Sequence, residues 1–147
     1  MSLWDWTLET YGQPGVPRAC LTLQDAHGQN TSLLLWAVWA EARDEALLTR
    51  AADAAHRWDA VALNPIRAVR RALKAPLPPV ADAAREGLRE DVKAAELRAE
   101  RVLMETLEAM GGRQGGAPAL EALTAASKAW GQPAPAEALA ALAAALG

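Results

Sequence analysis

The segment CLTLQDAHGQN, Cys20 to Asn30, sets Gln24, Asp25 and His27 within about one helical turn, in otherwise apolar company. A carboxylate and an imidazole that close together could move a proton or orient a ligand, provided something holds the ligand beside them. A second run, NPIRAVRRALK from Asn64 to Lys74, carries Arg67, Arg70, Arg71 and Lys74. Guanidiniums in the first turns of a helix are suited to carboxylates and phosphates, because bidentate hydrogen bonds add to the positive end of the helix dipole. Asp25, in the last turn of its own helix, faces the negative end of a dipole, an unfavourable placement by about 0.3–1 kcal/mol. It needs a compensating cation, and two arrangements supply one. In the first, which the residue types favour, Asp25 is fastened to the arginine helix as a structural ion pair. In the second, Arg67 and Arg70 hold an exogenous anion, while Gln24, Asp25 and His27 orient the arginines or a second part of the ligand. An enzymatic version of the second makes Asp25 or His27 a general base and the arginines its substrate anchor. The plain role of His27 is a helix-end partner for exposed carbonyls.

Other chemistry finds little support. No P-loop and no dinucleotide glycine fingerprint occurs, and His27 and His56 are too far apart to share a turn, so no metal site, no cofactor and no assigned catalytic residue is expected. Cys20 lies on an apolar stripe and reads as a buried, inert thiol. The net charge of −3 and the absence of aromatics among the basic residues of Asn64–Lys74 argue against nucleic acid. The expected partner is a protein or a small anionic ligand. The start, MSLWDWTLETYG, has no signal-peptide pattern and the single cysteine forms no internal disulfide, so a cytoplasmic location is expected. No apolar run approaches the roughly 20 residues that span a bilayer.

The elements that must position these residues are helices. Ala and Leu dominate, β-branched residues are few and Phe is absent. The expectation is an all-α fold, a compact bundle of about five helices plus a helical C-terminal segment. Trp4, Trp6 and Tyr11 mark a short first helix that lays its aromatics on the core. Val16, Cys20, Leu23 and His27, widened by Ala19 and Leu21, stripe a second helix stopped by Gly28. Leu33 to Trp39, apolar on nearly every face and opened by a cap among Asn30, Thr31 and Ser32, forms the centre, and Asp44 caps a fourth helix ending near Asn64. Asn64 and Pro65 then cap and open the arginine helix, with Ile66, Val69 and Leu73 inward and Arg67, Arg70, Arg71 and Lys74 gathered on another side. A long helix from Asp82 to about Met110 carries an apolar stripe that includes Ala84, Leu88, Ala95, Ala99 and Leu103. The domain reading is a helical core over 1–110, a flexible linker over 111–118 and an Ala-rich tail over 119–147, docked or mobile, in which Trp130 is the least anchored tryptophan.

Cys20-Leu-x-Leu-Gln-Asp25 and Pro65-x-Arg67-x-x-Arg70, with LWDW near the start, Trp58 and KAAELRAER, resemble a family of short proteobacterial proteins classed as a domain of unknown function. The resemblance covers Leu3 to Lys74 and, more weakly, Lys93 to Arg101. It implies that Trp4, Cys20, Gln24, Asp25, Gly28, Trp58, Pro65, Arg67 and Arg70 form one motif set, without naming an activity. In the family an Asn commonly opens the leucine-rich helix, and Ser32 stands at that place here, which implies a cap. The family's C-terminal part is variable, so the segment after Gly111 inherits nothing.

Overall fold

The Ser2 side chain accepts a hydrogen bond from the Asp5 N–H and so starts α1, Leu3–Thr10. Its inward face is Leu3, Thr7 and Thr10, whereas Trp4 and Trp6 are half-buried and Tyr11 stays exposed, so the aromatics border the core rather than fill it. Pro17 sits in the first turn of α2, Val16–His27, and Gly28 ends the helix at φ 61°, a left-handed conformation that glycine adopts without strain. Val16, Cys20 and Leu23 are buried, but Leu21 is 59% exposed and lies off the stripe. Asn30, in extended backbone, caps α3, Thr31–Trp39, by accepting from the Leu33 N–H. Ser32 therefore lies inside the helix and is buried, and the cap implied at that position belongs to Asn30. Every residue from Ser32 to Ala37 is buried, as the all-round apolar pattern requires of a central helix.

Asp44 caps α4, Glu45–Trp58. The helix does not stop before Pro65. It widens into a π-helical turn, Asp59–Leu63, and runs on as α5, Asn64–Ala72, with Leu63 and Asn64 in helical backbone and the Asn64 N–H donating to the Asp59 carbonyl. A proline inside a helix removes one donor and crowds the carbonyl of the preceding turn; the wider turn relieves that crowding, so Asn64 is not a cap.

The 29-residue α6, Asp82–Met110, is about 43 Å long. Its inner face changes character along its length. Ala99, Leu103, Met104 and Leu107 enter the core, but Leu88 and the alanines 84 and 95 expected beside it are exposed. α7, Ala119–Trp130, crosses α3 and α4, and α8, Ala136–Leu146, lies on α2. Leu123, Leu139 and Leu142 join the same buried cluster as α2 and α3. A buried polar knot ties the two corners: Ser127 Oγ donates to Gln29 Oε1 at 2.7 Å, and Gln29 Nε2 donates to the Gln132 carbonyl at 2.7 Å.

The structure is a computed structural model that describes residues 1–112 and 115–147, so part of the linker expected over 111–118 lies outside the described residues. Among the described residues the fold is all-α, with no strand, and no helix is long and apolar enough to cross a membrane.

Candidate functional site

Arg67 and Arg70 of α5 turn toward α6, whereas Arg71 stays exposed. Arg67, with a side chain only 15% exposed, lies 3.5 Å from Glu96 and 3.4 Å from Glu100 of α6, and Arg70 closes on Glu96. Arg85 of α6, itself buried, donates to the carbonyls of Leu73 at 2.6 Å and Lys74 at 3.2 Å, closing the C-terminal end of α5. The α5–α6 contact is thus a charged seam, and the valine expected inward, Val69, is 47% exposed. The physical reason is the partner surface: where α5 docks, α6 offers Glu96, Glu100, Arg85 and Arg89 rather than apolar side chains. Burial pushes the Glu100 carboxyl above its ordinary range, with Arg67 opposing the shift and Glu96 adding to it.

Asp25 takes no part in this seam. It is exposed at the end of α2, and among the described residues no ion pair or hydrogen bond engages it. The ion pair expected between Asp25 and the arginine helix is absent because two glutamates, held by a long neighbouring helix, already occupy Arg67 and Arg70. Water screens the exposed carboxylate from its own helix end, so no partner is required.

Asp25 and Arg67 nevertheless share a cleft of about 520 Å³. The last turn of α2 supplies Gln24, Asp25 and Gly28; the π-turn supplies Asp59; α5 supplies Asn64, Arg67 and Arg71, three residues at helical spacing on one face; Trp130 closes the side. His27 and Arg70 do not line it. The carbonyl of His27 accepts from Gln29 Nε2, and Arg70 acts behind the wall by holding Glu96.

Asp59 is the group that pattern reading missed. It is half-buried, and among the described residues its carboxylate accepts one hydrogen bond, from Asn30 Nδ2 at 3.1 Å; burial raises its carboxyl above the ordinary range against the pull of Asn30, Arg67 and His56. The only signal in the sequence is an Asn-Pro pair interrupting a stripe that otherwise continues, which a π-turn explains. Trp130 was equally hidden. Its ring stacks on His56 with centroids 3.6 Å apart, its indole donates to the Gly28 carbonyl at 2.8 Å, and its own carbonyl accepts from His56 Nε2 at 2.9 Å. It is a fixed wall of the cleft, not a loose aromatic.

Cys20 is buried, and burial pushes its thiol up, as expected of an inert side chain; the Tyr11 hydroxyl beside it is pushed up by its own burial. Among the described residues no group of His, Cys, Asp and Glu is arranged to hold a metal ion.

The family described as "Protein of unknown function (DUF2390)" matches residues 2–107. The chain belongs to that family. The matched span holds every cleft residue except Trp130, which stands on α7 beyond it. The DUF2390 portion therefore supplies the α2, π-turn and α5 sides of the cleft, and α7 adds Trp130. No curated protein and no solved structure matches the chain.

Proposed function

We propose that the protein is a binding module, and that a small ligand with an anionic group, or such a group on a partner protein, seats in the cleft between α2 and α5. The observation that supports this is the Arg71 guanidinium: it lines the cleft, it is exposed, and among the described residues it has no partner. Arg67 lines the cleft below it with its charge matched by Glu96 and Glu100, and Arg70 positions it through Glu96. Gln24 and Asn64 line the same space with side-chain amides that no neighbour among the described residues uses. Asp25 orients the ligand's hydrogen-bond donors, and His27 contributes through the Gln29 contact that holds the α2–α3 corner. Convergent polar groups in one concavity are the ordinary setting for recognition of a small polar molecule.

A thermal-shift panel of small carboxylates and phosphates, run on the wild type and on Arg71→Ala, tests this reading. Stabilisation of the wild type that disappears in the variant is the expected result. An empty panel together with an empty affinity capture of partners overturns it, as does stabilisation that persists in Arg71→Ala.

A further inference from the structure

The charges left free in the cleft define the ligand more narrowly, on the condition that the binding reading above holds. Two guanidiniums, Arg67 and Arg70, are matched by two carboxylates, Glu96 and Glu100. Among the described residues, Asp25 and Asp59 on one side and Arg71 on the other have no ion-pair partner, an excess of one negative charge. A lone anion would use Arg71 and leave Asp59 unmatched. A lone cation would leave Arg71 unused.

We propose that the cleft binds a zwitterion, a short extended peptide of about three residues, with its ammonium against Asp59 and its carboxylate on Arg71. Asp59 is the ammonium site because it is half-buried and its carboxylate accepts a single hydrogen bond among the described residues, while an ionised carboxylate has acceptor capacity for about four. Asn64 and Gln24 each offer a donor and an acceptor, the complement of a peptide group between the two ends. The spacing agrees. Asp59 and Arg71 stand twelve residues apart on one continuous helix, roughly 18 Å along its axis. An arginine side chain on a helix leans back toward the N-terminus, which leaves the two charges on the order of 10 Å apart. Three extended residues at about 3.3–3.6 Å each cover that distance.

The probes are trialanine, N-acetyl-trialanine, which lacks the ammonium, and trialanine amide, which lacks the carboxylate. The readout is the indole N–H resonance of Trp130, assigned by its disappearance in Trp130→Phe and followed in titrations of the full chain. Trialanine is expected to bind about tenfold more tightly than either blocked peptide. Asp59→Asn should erase its advantage over the acetylated peptide, and Arg71→Gln its advantage over the amide, with each variant's unfolding midpoint confirming that it folds. Equal binding of trialanine and the acetylated peptide overturns the zwitterion while leaving an anion-binding module standing. Equal binding of trialanine and the amide overturns both readings. No binding of any probe overturns the zwitterionic peptide and leaves the anion panel to decide the broader reading.

Discussion

Removing the Asp25 carboxylate and removing the Arg67 guanidinium should have unequal consequences, although both line one cleft. Asp25 is exposed and unpaired, so Asp25→Ala is expected to change stability in urea by less than about 0.5 kcal/mol. Arg67→Ala strands Glu100 in the α5–α6 seam and leaves Glu96 to Arg70 alone, and should lose about 2–4 kcal/mol, discounted from a fully buried pair for the partial exposure of the site. A double-mutant cycle of Arg67 with Glu100 should show clear coupling, and one with Asp25 none. Asp59 makes a different prediction, because its carboxyl titrates higher in the fold than in the unfolded chain. The native state then holds the proton more firmly, so this residue's contribution is most favourable below the ordinary carboxylate range. It is lost as the pH rises through the raised native value. Asp59→Asn should therefore raise the unfolding midpoint at neutral pH, by about 2 °C, and flatten the slope of stability between pH 4 and 7. A variant that is more stable yet loses ligand would mark Asp59 as a group kept at the expense of the fold.

At the scale of elements, the π-turn sets the direction in which α5 points its arginines. Each helical residue advances the chain by about 100°, so deleting Ala60 from the turn would rotate α5 by that angle and carry Arg67 and Arg70 away from Glu96 and Glu100. In a Pro65→Ala background, which removes the ring clash as a cause, the deletion is expected to cost about 3 kcal/mol or more in urea unfolding. Pro65→Ala alone should cost far less, and equal losses would show that the turn does not set the phase. The same turn explains how much could be read in advance. Elements with strong local signals were legible: the Gly28 stop, the Asp44 cap, the all-apolar α3 and the all-α class. The inward face of α5 was legible only in part: Ile66 packs against the core as expected, but Val69 is exposed and Arg67 and Arg70 face α6, since the phase of an amphipathic helix fixes its two faces and leaves open which one meets the protein. That choice was made by α6, whose docking half is charged. Arg67, Gln24 and Asp25 do share a cleft, but the bond expected between acid and arginine yielded to glutamates about thirty residues further along the chain.

At the scale of the whole molecule, the question is whether α7 and α8 are an appendage or part of the core. Leu123, Leu139 and Leu142 are almost wholly buried, and each contributes roughly 1.5–3 kcal/mol by leaving water. Their removal would also uncover α2, α3 and α4, take the Ser127 and Gln132 partners from buried Gln29, and open one side of the central helix to solvent. Set against a net stability of about 5–15 kcal/mol for an ordinary domain, these losses are comparable to the whole. A chain ending at Met110 is therefore expected to lose its cooperative urea transition and much of its near-ultraviolet tryptophan signal while keeping considerable helix, the behaviour of a collapsed state without fixed packing. Cooperative unfolding of that fragment, with a midpoint near that of the full chain, would instead show that the first six helices close a core without the last two. The outcome bears on recognition as well. Trp130 is the cleft wall that lies outside the DUF2390 match, so if the core needs α7, the helix that carries this wall is required first for folding. The cleft-lining indole would then be a surface presented by a structural element, and Trp130→Phe should leave the urea transition cooperative while removing the hydrogen bond to Gly28.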